Sequence, residues 1–114
     1  MKIKNFGLAA LLAAMLPAQD AAADVVSFTC EVTEVATFQN RVHLQCNIQG
    51  ILLYFAVPTS SSAEAQRLIT MGNAALAAPG RTFWVTYDAS DLQGASYGCL
   101  PSNCRRPIGF GFRK

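Results

Sequence analysis

Cys30 and Cys46 bracket the stretch CEVTEVATFQNRVHLQC, and Cys99 and Cys104 bracket CLPSNC. Thiols so placed could ligate a metal, exchange disulfides or staple the chain. A structural zinc site wants close ligand pairs of the C-x2–4-C kind. Cys99-x4-Cys104 comes near that spacing, but Cys30 and Cys46 have no close partner, so no metal or other cofactor is expected. The C-x-x-C of thiol oxidoreductases is absent. Four cysteines in a small exported chain read as two disulfides, and counting alone allows three pairings.

Proton-transfer chemistry has little support. His43 is the only histidine and falls on the polar face of a predicted strand, where a solvent-facing or rim position is expected. Ser60, Ser61 and Ser62 precede a helical pattern and read as caps. Glu31 and Glu34 fall on opposite faces of one strand. Asp88 and Asp91 flank a turn, the usual place for Asx hydrogen bonds. The residues therefore point to a binding protein and not to an enzyme. Phe38, Trp84, Tyr87 and Tyr97 are the aromatic candidates for ligand contact, with core packing the expected role of Phe83 and Trp84. Tyr87 beside Asp88, Ser90 and Asp91 suits a small polar ligand such as a sugar, because an aromatic face stacks on sugar C–H surfaces at little ordering cost.

The compartment follows from the first residues. Lys2 and Lys4, the apolar run Leu8 to Leu16 and the small residues before Asp24 predict a Sec-type signal peptide over 1–23, cleaved after Ala23. The apolar run is too short to span a bilayer. A secreted or periplasmic domain over 24–114 remains, small enough to need staples or oligomerisation. The whole chain carries +2, and setting aside Lys2, Lys4 and Asp20 leaves about +1. Nucleic-acid binding wants a stronger basic footprint. The one local asymmetry is Arg105, Arg106, Arg113 and Lys114 near the end.

The elements that must position these groups follow from periodicity. Val26, Phe28, Cys30 and Val32 alternate with polar residues, as do Val42, Leu44, Cys46 and Ile48, predicting two half-buried strands. A hairpin centred near Phe38 sets Cys30 against Cys46, Val32 against Leu44, Phe28 against Ile48 and Glu34 against Val42. One register thus gathers nearly all the apolar side chains on one face. Opposed residues sit close enough for a bridge, which favours Cys30–Cys46 and leaves Cys99–Cys104. Ile51 to Val57 predicts a central strand ended by Pro58. Ser61 and Glu64 predict a capping box opening a helix with Ala65, Leu68, Ile69, Gly72 and Leu76 on one face, stopped at Pro79-Gly80. RTFWVTYDAS and IGFGFRK predict two further strands. The order β-β-β-α-β-β predicts a β-dominated, five-stranded OB-fold barrel with one helix and two disulfides. A ribosomal-protein-like or cystatin-like α+β sheet is the structural alternative.

The signal peptide, the cysteine-bearing strands, the VPTSSSAEAQRLITMGNAAL helix, RTFWVTY and the late GCLPSNCRRP loop together resemble the B subunits of AB5 toxins, most closely the subtilase-cytotoxin and typhoid-toxin type. YFAVPTSSSAEAQ is also similar to the cholera-type B subunit, where a VP-S segment leads into the central helix. The resemblance implies a ring-shaped homopentamer of OB-folds with helices lining a pore, a host glycan or glycoprotein as ligand, often sialylated, and a catalytic A subunit seated on the ring. It implies sugar contacts from a hydroxyl on the first strand and a tyrosine on the fourth, matching Ser27 or Thr29, and Tyr87, with Asp88 beside it. The rival function is a monomeric periplasmic or secreted OB-like protein that binds or inhibits a protein partner.

Overall fold

The computed structural model describes residues 23–114. The predicted signal peptide lies outside the described residues, apart from Ala23. The elements run β1 (Val25–Thr29), β2 (Glu31–Thr37), β3 (Arg41–Ile48), β4 (Ile51–Pro58), α1 (Ser62–Ala77), β5 (Thr82–Asp88), a 3-10 turn (Gln93–Tyr97), β6 (Cys104–Arg105) and β7 (Pro107–Arg113). They form one three-stranded sheet, ordered β1-β5-β7, and one four-stranded sheet, ordered β2-β3-β4-β6. All pairings are antiparallel except β4 with β6. Among the described residues, no helix is long and apolar enough to cross a membrane.

The chain is β-dominated with one helix and two disulfides, as expected, but the expected five strands are corrected to seven. Among the described residues seven strands lie in two sheets, because the first predicted strand is broken once and the predicted stapled loop contains a two-residue strand of its own. The first breaks at Cys30. Val25–Thr29 pairs with β5, the Cys30 N–H donates to the Phe83 carbonyl at 2.8 Å, and the chain then crosses to pair with β3 from Glu31 onward. That two-residue strand, β6, ends at Arg105, and the last predicted strand follows from Pro107, whose missing N–H cannot extend a ladder.

The hairpin register is also corrected. Val32 lies opposite Cys46, Val35 opposite Leu44 and Thr37 opposite Val42, and Phe28 pairs with Val85 instead of Ile48. The turn is Gln39-Asn40, closed by the Phe38 N–H on the Arg41 carbonyl. A bulge at Thr33 absorbs the extra residue and returns Val35 to the core face. The Cys30–Cys46 bridge forms even so, from the corner residue to a diagonal neighbour, with Cα atoms 5.2 Å apart. Cys99–Cys104 is the second bridge.

Helix α1 lays Ala65, Leu68, Gly72 and Ala75 over the β2-β3 face. A Cβ on Gly72 would overlap the side chain of Leu44, so only glycine lets the helix come this close. Leu76, expected on that face, is instead exposed. The predicted capping box does not form: Ser61 makes no side-chain cap bond. Ser61 Oγ and both Glu64 oxygens accept from Arg106 instead, the carboxylate in a two-pronged grip at 3.1 Å. That grip holds the Arg106 guanidinium firmly protonated. Between the layers, Phe55, Phe83, Leu44, Leu68, Val57 and Val85 are fully buried.

Candidate functional site

The face of β3 and β4 away from α1 carries Arg41, His43, Gln45 and Tyr54, since alternate residues of a strand point to opposite faces. The bulge at Thr33 brings Glu34 onto the same face, opposite Gln45. Instead of standing in solvent, His43 is 5 % exposed and is the buried polar side chain of the described residues. Phe38 and Tyr54 flank it, with ring centroids at 5.2 and 5.0 Å. The alternation pattern located its face correctly; long-range contacts then buried it.

No buried side-chain polar atom among the described residues lacks a partner. His43 Nε2 lies 2.7 Å from Glu34 Oε1, and Arg41 Nε donates to His43 Nδ1 at 3.4 Å. Guanidinium nitrogens only donate, so Nδ1 accepts and the ring proton sits on Nε2, toward the carboxylate. Both ring nitrogens are thereby engaged. Gln45 Nε2 donates to Tyr54 Oη at 2.8 Å, and Thr33 Oγ1 donates to Gln45 Oε1 at 2.8 Å. The Arg41 guanidinium lies 4.3 Å over the Phe38 ring.

The loop between β5 and β7 supplies the opposite wall. Arg41 Nη1 donates to the Tyr97 carbonyl at 2.7 Å, and the Tyr54 N–H donates to the Asn103 carbonyl at 2.8 Å. The loop turns back at Gly98, whose φ of +82° is left-handed backbone. The Cys99–Cys104 bridge closes the loop, and Cys104 belongs to β6, paired beside Tyr54. Glu34, Arg41, His43, Tyr54, Leu100 and Asn103 surround a groove of about 280 Å³. It has room for one small polar ligand, just under the usual range of about 300–1,000 Å³ for drug-sized pockets.

The residues expected to bind a sugar are not brought together. Ser27 and Thr29 point outward from β1, and Ser27 Oγ is hydrogen-bonded to Thr86 Oγ1. Tyr87 points to the opposite face. It is 8 % exposed, packed edge-on to Phe55 at 5.0 Å, and burial raises its phenol above the ordinary range. Asp88 is half-buried and accepts from Ser90 Oγ at 2.6 Å, the Asp24 N–H at 3.0 Å and the Ser90 N–H at 2.9 Å; these bonds hold its carboxyl below the ordinary range. Asp88 thus builds the turn that closes β1 against β5. Trp84 lies on Gly109 and Gly111, which explains the alternating glycines of IGFGF. Two of the C-terminal cations are spent on separate partners: Arg105 donates to the carbonyls of Ala89, Pro101 and Cys104, while Arg106 holds Glu64.

Wider grooves lie elsewhere, two of them of about 600 Å³. One, between α1 and β7, is mostly apolar, and its volume is about 610 Å³. The other, about 600 Å³, lies among Glu64, Asp88, Asp91 and Arg106, where Asp88, Glu64 and Arg106 already bond to protein partners. Neither gathers aromatic rings and free polar groups around a buried side chain as the β3-β4 groove does. Sequence reasoning missed this groove because its halves come from Glu34–Tyr54 and from a loop some fifty residues later. The signal available in the sequence was Arg41, His43 and Gln45 alternating on one polar face. Comparison of the chain with protein-family models, curated proteins and solved structures finds no match.

Proposed function

We propose that the protein is an exported, non-catalytic carbohydrate-binding subunit whose glycan sits in the groove on β3 and β4. The observation that carries this reading is the groove itself: Tyr54 and His43 rings and Leu100 beside Glu34, Asn103 and the Tyr54 hydroxyl. Sugars are bound by such mixtures of apolar faces and hydrogen-bonding groups. Both nitrogens of His43 are occupied, which favours a positioning role over proton transfer.

The strand order supports an OB-fold. Taking β1 with β2 as one strand bent at Cys30, and β6 with β7 as one bent at Arg106, neighbours follow in a complete circuit: β1/β2, β3, β4, β6/β7, β5 and back to β1. OB-folds bind oligosaccharides and oligonucleotides on the face of their second and third strands, between the loops that follow the first and fourth. In this chain that position is β3 and β4, between the Gln39-Asn40 turn and the stapled loop. The resemblance to AB5 B subunits extends the proposal to a ring homopentamer that displays several such grooves to host glycans and carries a catalytic A subunit.

Glycan-array binding of the oxidised chain at micromolar concentration tests the reading. Binding is expected, with loss on Tyr54→Ala and on Asn103→Ala and no loss on Thr29→Ala. Light scattering on the same sample is expected to give a mass near five chains. A folded chain that binds no glycan defeats the proposal.

A further inference from the structure

We infer that the groove selects neutral glycans, whose terminal sugar offers hydroxyl or acetamido groups and no carboxylate, sulfate or phosphate. The inference rests on the carbohydrate-binding reading and goes beyond it by naming the ligand class.

Among the described residues two formal charges line the groove, those of Glu34 and Arg41. Arg41 is poorly placed to receive an anion. Its Nε is spent on His43 and its Nη1 on the Tyr97 carbonyl, and its planar face lies on Phe38. With Nε occupied, the side edge of the guanidinium, where a carboxylate is gripped by two parallel N–H bonds, is already taken. Among the described residues no second arginine or lysine lines the groove, and the nearby Arg105 is committed to three carbonyls.

Glu34 acts in the opposite sense. Its side chain is about half exposed, Oε1 is fixed by His43, and Oε2 makes no hydrogen bond among the described residues. A fixed carboxylate with one free oxygen accepts from a sugar hydroxyl and repels an acidic group in the same place. The other open positions agree. Tyr54 Oη accepts from Gln45, which leaves its O–H free to donate. The Asn103 side-chain amide has no protein partner among the described residues and offers both a donor and an acceptor. Leu100, among the most exposed apolar side chains, supplies a non-polar contact. One free carboxylate oxygen, one phenol and one amide suit vicinal hydroxyls or an acetamido group.

The test titrates the oxidised chain with neutral N-acetyllactosamine and with its sialylated and sulfated forms, using calorimetry in low salt. The neutral form is expected to bind at least roughly tenfold more tightly than either acidic form, the scale of about 1.4 kcal/mol of like-charge repulsion. Glu34→Gln keeps an oxygen for His43 and removes the charge, so it is expected to close most of that gap while thermal unfolding reports an intact fold. Tighter binding of the sialylated or sulfated form by the wild-type chain overturns the inference and leaves the carbohydrate reading standing. An unchanged gap in Glu34→Gln overturns it too, since the selectivity would not come from this carboxylate. Binding of none of the three, nor of any array glycan, defeats both.

Discussion

His43 Nε2 lies 2.7 Å from Glu34 Oε1, and the bulge at Thr33 makes this contact possible. In the frame set by Val32 opposite Cys46, an unbulged strand would place Glu34 opposite Leu44, on the core face. The extra residue turns the carboxylate outward, onto the face of the only histidine. His43→Ala removes a buried ring, strands Arg41 Nε and leaves Glu34 without its partner. The expected loss is about 1–3 kcal/mol in urea unfolding. A surface histidine would cost under about 0.5 kcal/mol, and a loss that small would show the cluster to be incidental.

Gly98 fixes the opposite wall. Its φ is +82°, and a Cβ there would stand 3.0 Å from Arg41 Nη1. Gly98→Ala therefore costs about 1–2 kcal/mol of backbone strain and pushes the guanidinium off the Tyr97 carbonyl. Glycan affinity is expected to fall further than stability does, with the thermal midpoint and the titration measured on one sample. Equal falls would assign Gly98 a purely structural part.

The two disulfides are expected to separate stability from binding. Their sequence separations are 16 and 5 residues. Chain-entropy scaling gives the longer loop about 1 kcal/mol more stabilisation, within the usual range of about 2–5 kcal/mol for small secreted domains. Replacing Cys30 and Cys46 by alanine should lower the unfolding free energy more than replacing Cys99 and Cys104. The second pair holds the loop that carries Leu100 and Asn103, so its removal should cost glycan affinity at modest loss of stability. The reverse ranking would separate the loop from binding.

How much of this was legible depends on the range of the interaction. Alternation placed Val42, Leu44 and Cys46 on the core face and Arg41, His43 and Gln45 on the other, because period two is a local property. The Cys30–Cys46 bridge was legible for the same reason, although the register behind it was not, and Cys99–Cys104 followed as the remaining pair. A bulge is one residue wide and leaves no periodic trace when Thr33 and Glu34 are both polar. The capping box failed through a distant competitor, Arg106, which takes both Ser61 and Glu64. Tyr87 looked like a loop-edge ligand residue because Asp88 and Ser90 follow it; the direction of its ring was fixed by Phe28 and Phe55 across the core.

Gly72 is the point where α1 touches β3. An alanine there would overlap Leu44, which is fully buried and has nowhere to move. Overpacking costs about 1–3 kcal/mol, partly offset by about 1 kcal/mol of better helix propensity. Gly72→Ala is thus expected to destabilise on balance, by thermal melting, whereas Gly80→Ala, with open space around it, should be near neutral. A more stable Gly72→Ala would mean that the helix can lift without cost.

Two neighbouring residues at one strand end, Asp88 and Tyr87, should give stability an acid and an alkaline dependence. Asp88 holds its carboxyl below 3.8 through bonds from Ser90 Oγ, the Asp24 N–H and the Ser90 N–H. As pH falls, the unfolded chain takes up that proton first. The contribution of Asp88 is therefore complete above about 3.8 and is lost as pH drops through its lower folded value. Asp88→Asn should flatten this part of the acid limb. Tyr87 runs the other way: burial raises its phenol above 10.0, partly offset by Arg105. Stability should be indifferent to it below 10 and decline above, as ionisation favours the unfolded chain, and Tyr87→Phe should remove that decline. Thermal midpoints from pH 2 to 11 for the three chains separate the effects, and an acid limb unchanged in Asp88→Asn would show that the turn at Asp88 does not hold β1. A chain beginning at Asp24 sharpens the same measurement. Its α-ammonium takes the place of the Asp24 N–H 3.0 Å from Asp88 Oδ1, and acetylating that amine should lower the midpoint at neutral pH in the wild-type chain but not in Asp88→Asn.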